Sequence, residues 1–64
     1  MLDLRTQRVL RNETQKQSAK LMGISEASLV QYEKKRVIPS FFVACKLADH
    51  YDVSLEELRI FFKC

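Results

Sequence analysis

Residues 15–34 read QKQSAKLMGISEASLVQYEK and decide the fold of this chain. Ala19 lies four residues before Gly23, and Leu29 lies six residues after it. Two helices that join through a three-residue turn must approach each other closely, which a small side chain at Ala19 permits. Gly23 can adopt a positive φ at little steric cost, so it can end the first helix abruptly. The stretch therefore predicts two helices joined by a tight turn.

The second helix of this pair, predicted from Glu26 to about Lys35, has two unlike faces. At roughly 100° per residue, one side of the helix carries Glu26, Ala27, Val30 and Gln31, and the opposite side carries Leu29, Tyr32 and Glu33. Glutamine can hydrogen-bond adenine through both ends of its amide, alanine or valine can contact a thymine methyl group, and glutamate can accept from cytosine N4. The first side therefore suits base edges in the major groove of double-stranded DNA.

One further helix is predicted before this pair, and another begins soon after it. The first is predicted from Asp3 to Arg11, and its apolar residues Leu4, Val9 and Leu10 are expected to face inward. Thr14 and Gln17 form a capping box, in which each side chain bonds the backbone N–H of the other residue, and this box opens the helix that Gly23 ends. Pro39 cannot continue the helix of residues 26–35, so Ser40 caps a new one.

The last two helices complete an all-α chain. One is predicted from about Phe41 to Tyr51, with an apolar side formed by Phe42, Val43, Ala44, Leu47, Ala48 and Tyr51. A second capping box, Ser54 with Glu57, opens a helix from Leu55 to about Phe62, with Leu55, Leu58 and Phe62 on one stripe. Five helices of two or three turns favour a compact orthogonal bundle, formed by residues 1–64 as a single domain.

Composition narrows the classes of function. The chain has 64 residues, a net charge of +3, two cysteines and one histidine. The positive charge lies in the first half and in the cluster Lys34–Arg36, which suits a polyanionic partner. The sequence predicts no metal site, no cofactor, no small-molecule ligand and no enzyme, since no catalytic constellation is present and a dry pocket of about 300 Å³ or more is not expected in so short a chain.

Two further expectations follow from single residues and from the hydropathy of the chain. Cys45 lies in an apolar helical run and is expected to be a small core residue, whereas Cys64 is expected to be a free thiol. The apolar runs are shorter than a membrane span of about 18 residues, so the expected location is the cytoplasm.

The chain resembles the Xre/Cro family of phage-repressor-like helix-turn-helix domains. The resemblance rests on motifs spread over almost the whole sequence, namely T14-Q15, A19-x-x-x-G23, S25-x-x-S28-L29, Y32-E33, P39-S40 and L47-A48-x-x-Y51-x-V53-S54-x-x-E57-L58. It implies a five-helix fold, with the helix-turn-helix core at about residues 15–34. It also implies transcriptional regulation, most often as a homodimer on a palindromic operator.

The resemblance assigns roles to individual residues. It implies base readout by Glu26, Ala27 and Gln31. It implies phosphate contacts by Gln15, Lys16, Ser28, Lys34, Lys35 and Arg36. Ala19, Gly23 and Leu29 build the motif, and Arg8 and Glu33 stand where family members often form a salt bridge. That pair is expected to position the helices rather than to stabilise them, because exposed ion pairs contribute little.

Four positions depart from the family pattern. Ser18 replaces a usual leucine in the wedge between the helices, and Gln7 and Glu13 stand where apolar residues are common. Lys35 replaces a glycine just after the recognition helix, where a positive φ would cost roughly 1 kcal/mol for a residue with a side chain. We therefore expect either a different loop or a slightly longer recognition helix at this corner.

Two questions of partnership stay open in the sequence. Leu58, Ile60, Phe61 and Phe62 form an apolar end, more than a monomer usually exposes, which predicts a two-fold homodimer through the fifth helix. The leading function is a repressor-type regulator that binds double-stranded DNA. The alternative is a protein-interaction module on the same fold, an antirepressor or antitoxin-type partner whose basic face binds an acidic protein.

Overall fold

The computed structural model describes residues 3–63 and contains five helices. They are α1 (Leu4–Leu10), α2 (Gln15–Met22), α3 (Glu26–Glu33), α4 (Phe41–Tyr51) and α5 (Leu55–Lys63). No strand occurs in these residues. The all-α prediction of five short helices is therefore confirmed. No helix within this range is both long and apolar enough to cross a membrane.

A side chain caps the start of every helix. Thr14 accepts from the N–H of Gln17, whose own side chain returns a bond to Thr14, so the predicted capping box forms. The box of Ser54 and Glu57 is present as well. Single caps at Asp3, Ser25 and Ser40 begin the other three helices. Each cap satisfies one of the N–H groups that a helix start leaves without a partner in the helix.

Four helices are followed within two residues by a residue in the left-handed region, and only one of these residues is glycine. The φ angles are 55° for Asn12, 74° for Gly23, 60° for Lys35 and 54° for Asp52. Helix α3 ends at Glu33, two residues earlier than predicted, and Lys35 itself adopts the left-handed conformation. The expectation of a different loop or a longer helix is therefore wrong.

Two bonds and one ring contact hold Lys35 in this conformation. Its N–H donates to the carbonyl of Tyr32, and the next N–H, of Arg36, donates to the carbonyl of Gln31. These bonds satisfy the last carbonyls of α3. The ammonium group of Lys35 lies 4.5 Å from the centre of the Phe61 ring, a contact that glycine could not make.

The core draws on all five helices. Its buried hydrophobic residues are Leu4, Ala19, Met22, Leu29, Tyr32, Leu47, Tyr51, Leu58 and Phe61. Leu4, Leu47 and Leu58 were predicted to face inward, and they do. Phe61 is buried and Phe62 only partly so, which reverses the predicted order of these two rings. Cys45, expected in the core, is half-buried with a free thiol, and Cys64 lies outside the described residues.

Several apolar residues predicted to face inward are exposed instead. Val9 and Leu10 point outward because the inner side of α1 is formed by Leu4 and by the stems of Arg8 and Arg11. Arg11 reaches from there to the carbonyl of Tyr51, 2.6 Å away. Phe42 on α4 is exposed in the same way, since neighbouring positions on that helix fill the core.

Ser18, the small polar residue in the wedge, has a buried partner. Its hydroxyl is fully buried and lies 2.7 Å from the phenol oxygen of Tyr51 on α4. Burial raises the pKa of the Tyr51 phenol, so this group stays protonated and can donate at neutral pH. At the position where leucine is usual, Ser18 therefore forms a buried hydrogen bond that joins α2 to α4.

Glu13, another departure, makes a polar contact at the same end of the molecule. Its carboxylate lies 2.7 Å from Nε2 of His50, and both side chains are mostly buried. Burial raises the pKa of Glu13, but hydrogen bonds with His50 and Ser18 and the charges of His50 and Arg11 outweigh this effect. The pKa of Glu13 therefore lies below its ordinary value of 4.5.

We expect the two hydroxyls of Ser18 and Tyr51 to be strongly coupled in stability. Ser18→Ala and Tyr51→Phe should each lower the free energy of unfolding by about 1–3 kcal/mol, because each breaks the buried hydrogen bond between the two hydroxyls. The double variant should lose much less than the sum, since both polar groups are then gone. Urea unfolding of the four proteins measures this coupling. Strictly additive losses would contradict it.

We expect Glu13 to make folding sensitive to acid. Because its folded pKa is lowered, its carboxylate stabilises the fold above the unfolded pKa, and this contribution disappears as the pH falls through the folded pKa. The stability difference between the wild type and Glu13→Gln should therefore shrink between about pH 6 and about pH 3. Thermal unfolding across this range tests it, with Asp49→Asn on the exposed side of α4 as the control. A difference that does not change with pH would count against the prediction.

Candidate nucleic-acid interface

The outward face of α3 is the first element of the site. Leu29 is fully buried and Tyr32 is buried, which fixes the rotation of the helix about its axis. Glu26 and Ala27 are consequently exposed, and Val30 and Gln31 are half-buried at the edge of the same face. The structure thus brings together on one surface the side chains that the sequence proposes as base readers.

The start of α3 is ordered by two serines. Ser25 accepts from the backbone N–H of Ser28 at 3.1 Å, and its hydroxyl donates to the hydroxyl of Ser28 at 2.8 Å. Ser28 is a predicted phosphate contact and therefore has a fixed side chain next to the exposed positions Glu26 and Ala27. The positive end of the helix dipole lies at this turn, where an anion would be favoured.

A carboxylate at the end of α3 connects three elements. Oε2 of Glu33 accepts from Nε of Arg8 on α1 at 2.7 Å, and Oε1 accepts from the side-chain amide of Gln15 at 3.0 Å. Nη1 of Arg8 also donates to the carbonyl of Glu13 at 2.8 Å. The expected ion pair between α1 and α3 is therefore present.

This ion pair differs from the expectation in its burial. The side chains of Arg8 and Glu33 are only 12% and 5% exposed, so the argument for a weak surface pair does not apply. Removal of one partner would leave the other charge in a poorly solvated place, which is much more costly than loss of a surface pair. The hydrogen bond from the Gln15 amide to Glu33 orients the first residue of α2 beside α3.

A polar cavity lies where these elements meet. It has a volume of about 460 Å³ and is lined by Asp3, Arg5, Arg8, Gln15, Glu33 and Lys34. Arg5 and Lys34 are exposed cations on its lining, and Lys16 is exposed beside Gln15 on α2. Sequence reasoning did not single out Arg5, although its position one helical turn before Arg8 is a signal that could have found it.

The basic cluster after α3 is divided by the structure. Lys34 faces the polar cavity, and Arg36 is exposed at the corner. The ammonium group of Lys35 instead lies over the Phe61 ring of α5. Lys34 and Arg36 are therefore better placed than Lys35 to meet a phosphate group.

A second cavity has the opposite character. It is an open apolar groove of about 460 Å³ between the α3–α4 connection and α5. No group of three or more side chains that could hold a metal ion occurs within residues 3–63.

Comparison with known proteins identifies the family of this chain. A model of a helix-turn-helix family matches residues 4–58, which include α1 to α4 and every candidate base reader. An uncharacterized HTH-type transcriptional regulator of Methanocaldococcus jannaschii is 34% identical over 58 residues, which are 91% of this chain and 88% of that protein. No solved structure matches the chain significantly.

We expect Arg8→Met to destabilise the fold by about 3 kcal/mol, because Glu33 would then be a buried carboxylate without its cation. Arg5→Met is the matched control, since Arg5 lies on the same helix but is exposed. That change should alter stability by less than about 0.5 kcal/mol. Urea unfolding followed by circular dichroism compares the two variants. Equal effects would show that the pair with Glu33 is not structural.

Proposed function

The chain belongs to the Xre-like helix-turn-helix family, and from this premise we propose that it is a sequence-specific regulator of transcription that binds double-stranded DNA. In this proposal α3 lies in the major groove and acts as the recognition helix. The observation that carries the proposal is the fixed outward face of α3, which the buried Leu29 and Tyr32 rotate away from the core.

Three residues of that face are the proposed base readers. Gln31 offers an amide that can bond adenine twice, and Ala27 offers a methyl group to thymine. Glu26 can accept from cytosine N4. All three lie on the surface of one helix, so they can reach base edges in the groove together.

The surrounding cations and N–H groups are the proposed phosphate contacts. They are Gln15 and Lys16 at the start of α2, Ser28 on α3, and Lys34 and Arg36 at the corner, whereas Lys35 could contact a phosphate only by leaving the Phe61 ring. Arg5 is added to this set because it lines the polar cavity beside Gln15 and Lys34. Because Glu33 holds the amide of Gln15, this residue would meet the backbone in a prearranged orientation. Such contacts position the protein on DNA without reading its sequence.

The proposed mode of action is repression by occupancy of an operator in the cytoplasm. We propose that two copies, joined through the C-terminal helix, bind a palindromic site whose half-sites lie about 34 Å apart, one turn of DNA. Regulation would then depend on the concentration of the protein. Recovery of bound duplexes from a random pool, followed by sequencing, tests both the readout and the symmetry of the site.

We expect Gln31→Ala to weaken binding to the recovered sequence by about 1–3 kcal/mol and to relax the base preference at one position in each half-site. Binding to random duplex should stay the same, because phosphate contacts supply it. Asp49→Ala, on the exposed side of α4, is the control and should leave both affinities unchanged. Equal losses on specific and random DNA would show that Gln31 does not read a base.

A salt titration in the same assay separates this function from a protein-interaction module. Affinity for the duplex should fall linearly with the logarithm of salt concentration, by close to one unit of slope for each phosphate contacted. A protein whose basic face binds only an acidic protein would show no sequence preference in the recovered duplexes.

A further inference from the structure

The start of α4 and the connection before it expose a cluster of large apolar side chains. This cluster, the apolar tip, falls within six consecutive residues and consists of Val37, Ile38, Phe41 and Phe42. Its members are between 48% and 75% exposed. Single exposed apolar side chains are ordinary on a protein surface, but a contiguous group of this kind marks a place where the molecule meets a partner.

The side chains of the tip project in more than one direction. Phe41 and Phe42 are the first two residues of α4, and helical side chains tilt toward the helix start, so both extend toward the connection that holds Ile38. Phe41 lines the apolar groove together with Ile38. Phe42, about 100° further round the helix, lies on the side of Lys46, whose ammonium group is 5.5 Å from the ring centre. The tip is therefore a convex apolar projection.

Cations stand around the tip. Arg36 directly precedes it and is exposed. Lys46 lies one turn further along α4, and Lys63 lines the groove from the end of α5. Arg59 lines the groove too, but its guanidinium group is paired with the carboxylate of Glu56. An apolar projection among positive charges is complementary to a surface that is negatively charged outside and apolar within.

A lipid bilayer with anionic headgroups has this character. Apolar side chains enter the boundary between headgroups and acyl chains, and lysine and arginine are attracted to the anionic lipids beside them. A protein partner would need hollows on two sides of α4 to cover both Phe41 and Phe42. Lipids are mobile and can surround a convex projection without a preformed hollow. The shape and the charge of the tip together favour a membrane over a folded protein surface.

We propose that the apolar tip docks on anionic membrane surfaces, with Phe41 and Phe42 in the headgroup region and Arg36, Lys46 and Lys63 at the lipid phosphates. The docking buries side chains and leaves the helices outside the bilayer. It goes beyond the proposed function because it requires no DNA. The two surfaces share Arg36, which is also a proposed contact to DNA phosphate.

A fluorescent reporter tests the depth of docking. The chain contains no tryptophan, so Phe42→Trp introduces a single one. Vesicles of phosphatidylcholine mixed with an equal part of phosphatidylglycerol should shift its emission to the blue, because the indole ring leaves water. Leu10→Trp is the matched control, since Leu10 is exposed at the other end of α4, where its neighbour Arg11 bonds the carbonyl of Tyr51. Emission of Phe42→Trp that shifts no more than that of Leu10→Trp would overturn the proposal.

The phenylalanines should also set the affinity. Co-sedimentation with the same vesicles should show roughly tenfold weaker binding for Phe41→Ser and for Phe42→Ser, because each loses an apolar group that docking buries. Leu10→Ser should bind as the wild type does. Circular dichroism should show all three variants folded, because none of these side chains is in the core. Equal losses in all three would overturn the docking through the tip.

Charge variants separate docking from the general attraction of a basic protein to anionic lipid. Arg36→Gln and Lys46→Gln should each weaken vesicle binding about fivefold. Lys20→Gln removes the same charge from an exposed position on α2 and should have little effect. Equal effects of the three changes, or equal binding of the wild type to vesicles of phosphatidylcholine alone, would overturn the proposal.

The remaining outcomes distinguish other partners and the proposed function. A wild type that ignores anionic vesicles and instead associates in sedimentation velocity, with Phe41→Ser and Phe42→Ser monomeric, would overturn the membrane proposal and assign the tip to a second copy. Because these assays contain no DNA, their failure leaves the proposed regulator standing. A protein that docks on vesicles but prefers no DNA sequence would support the tip and remove the regulator.

Discussion

The carboxylate of Glu33 is the constraint on which the arrangement of this molecule depends. It is almost inaccessible to water, and its two oxygens accept from Arg8 on α1 and from Gln15 on α2. A buried ion pair is seldom more stabilising than apolar side chains of the same volume, because both charges lose their hydration. Its role is to orient the helices, since a guanidinium group and an amide donate to a carboxylate only within a narrow range of geometries. The end of α3 is therefore fixed relative to the two helices that precede it.

The parts of the fold that local chemistry controls could be predicted from the sequence. Both capping boxes, the stop at Gly23 and the start of α4 after Pro39 depend on residues within four positions of each other. The inward faces of the short helices could not all be predicted, because a two-turn helix with apolar residues on several sides has no single stripe. Val9 and Leu10 are exposed because the stems of Arg8 and Arg11 occupy the inner side of α1. Those arginines point inward because they bond Glu33 and the carbonyl of Tyr51, which are distant in the sequence.

In the candidate site, too, the features set by local sequence were predictable and those set by distant residues were not. Leu29 and Tyr32 were separable from the polar face of α3 by helical periodicity alone, so the exposed set was predictable. The bond between Gln15 and Glu33 joins residues 18 positions apart. The contact between Lys35 and Phe61 joins the recognition-helix corner to the last helix. Long side chains choose their rotamers from what surrounds them, so the inward position of the Lys35 ammonium group depends on the packing of α5 and has no signature in the sequence near Lys35.

Small size connects these observations. A chain of 64 residues buries a limited fraction of its apolar surface, and its folding free energy is correspondingly modest. Here two places that are usually apolar, at Ser18 and Glu13, hold polar groups instead, and each is satisfied by a partner at the end of α4. At the same time Ile38 and Phe41 remain in solvent. A partner that covered them would stabilise the folded state by mass action, so folding, association and the placement of α3 would all respond to the concentration of that partner. The recognition helix reaches this region through two contacts with α5, from Lys35 to the Phe61 ring and from Tyr32 to the Phe62 ring.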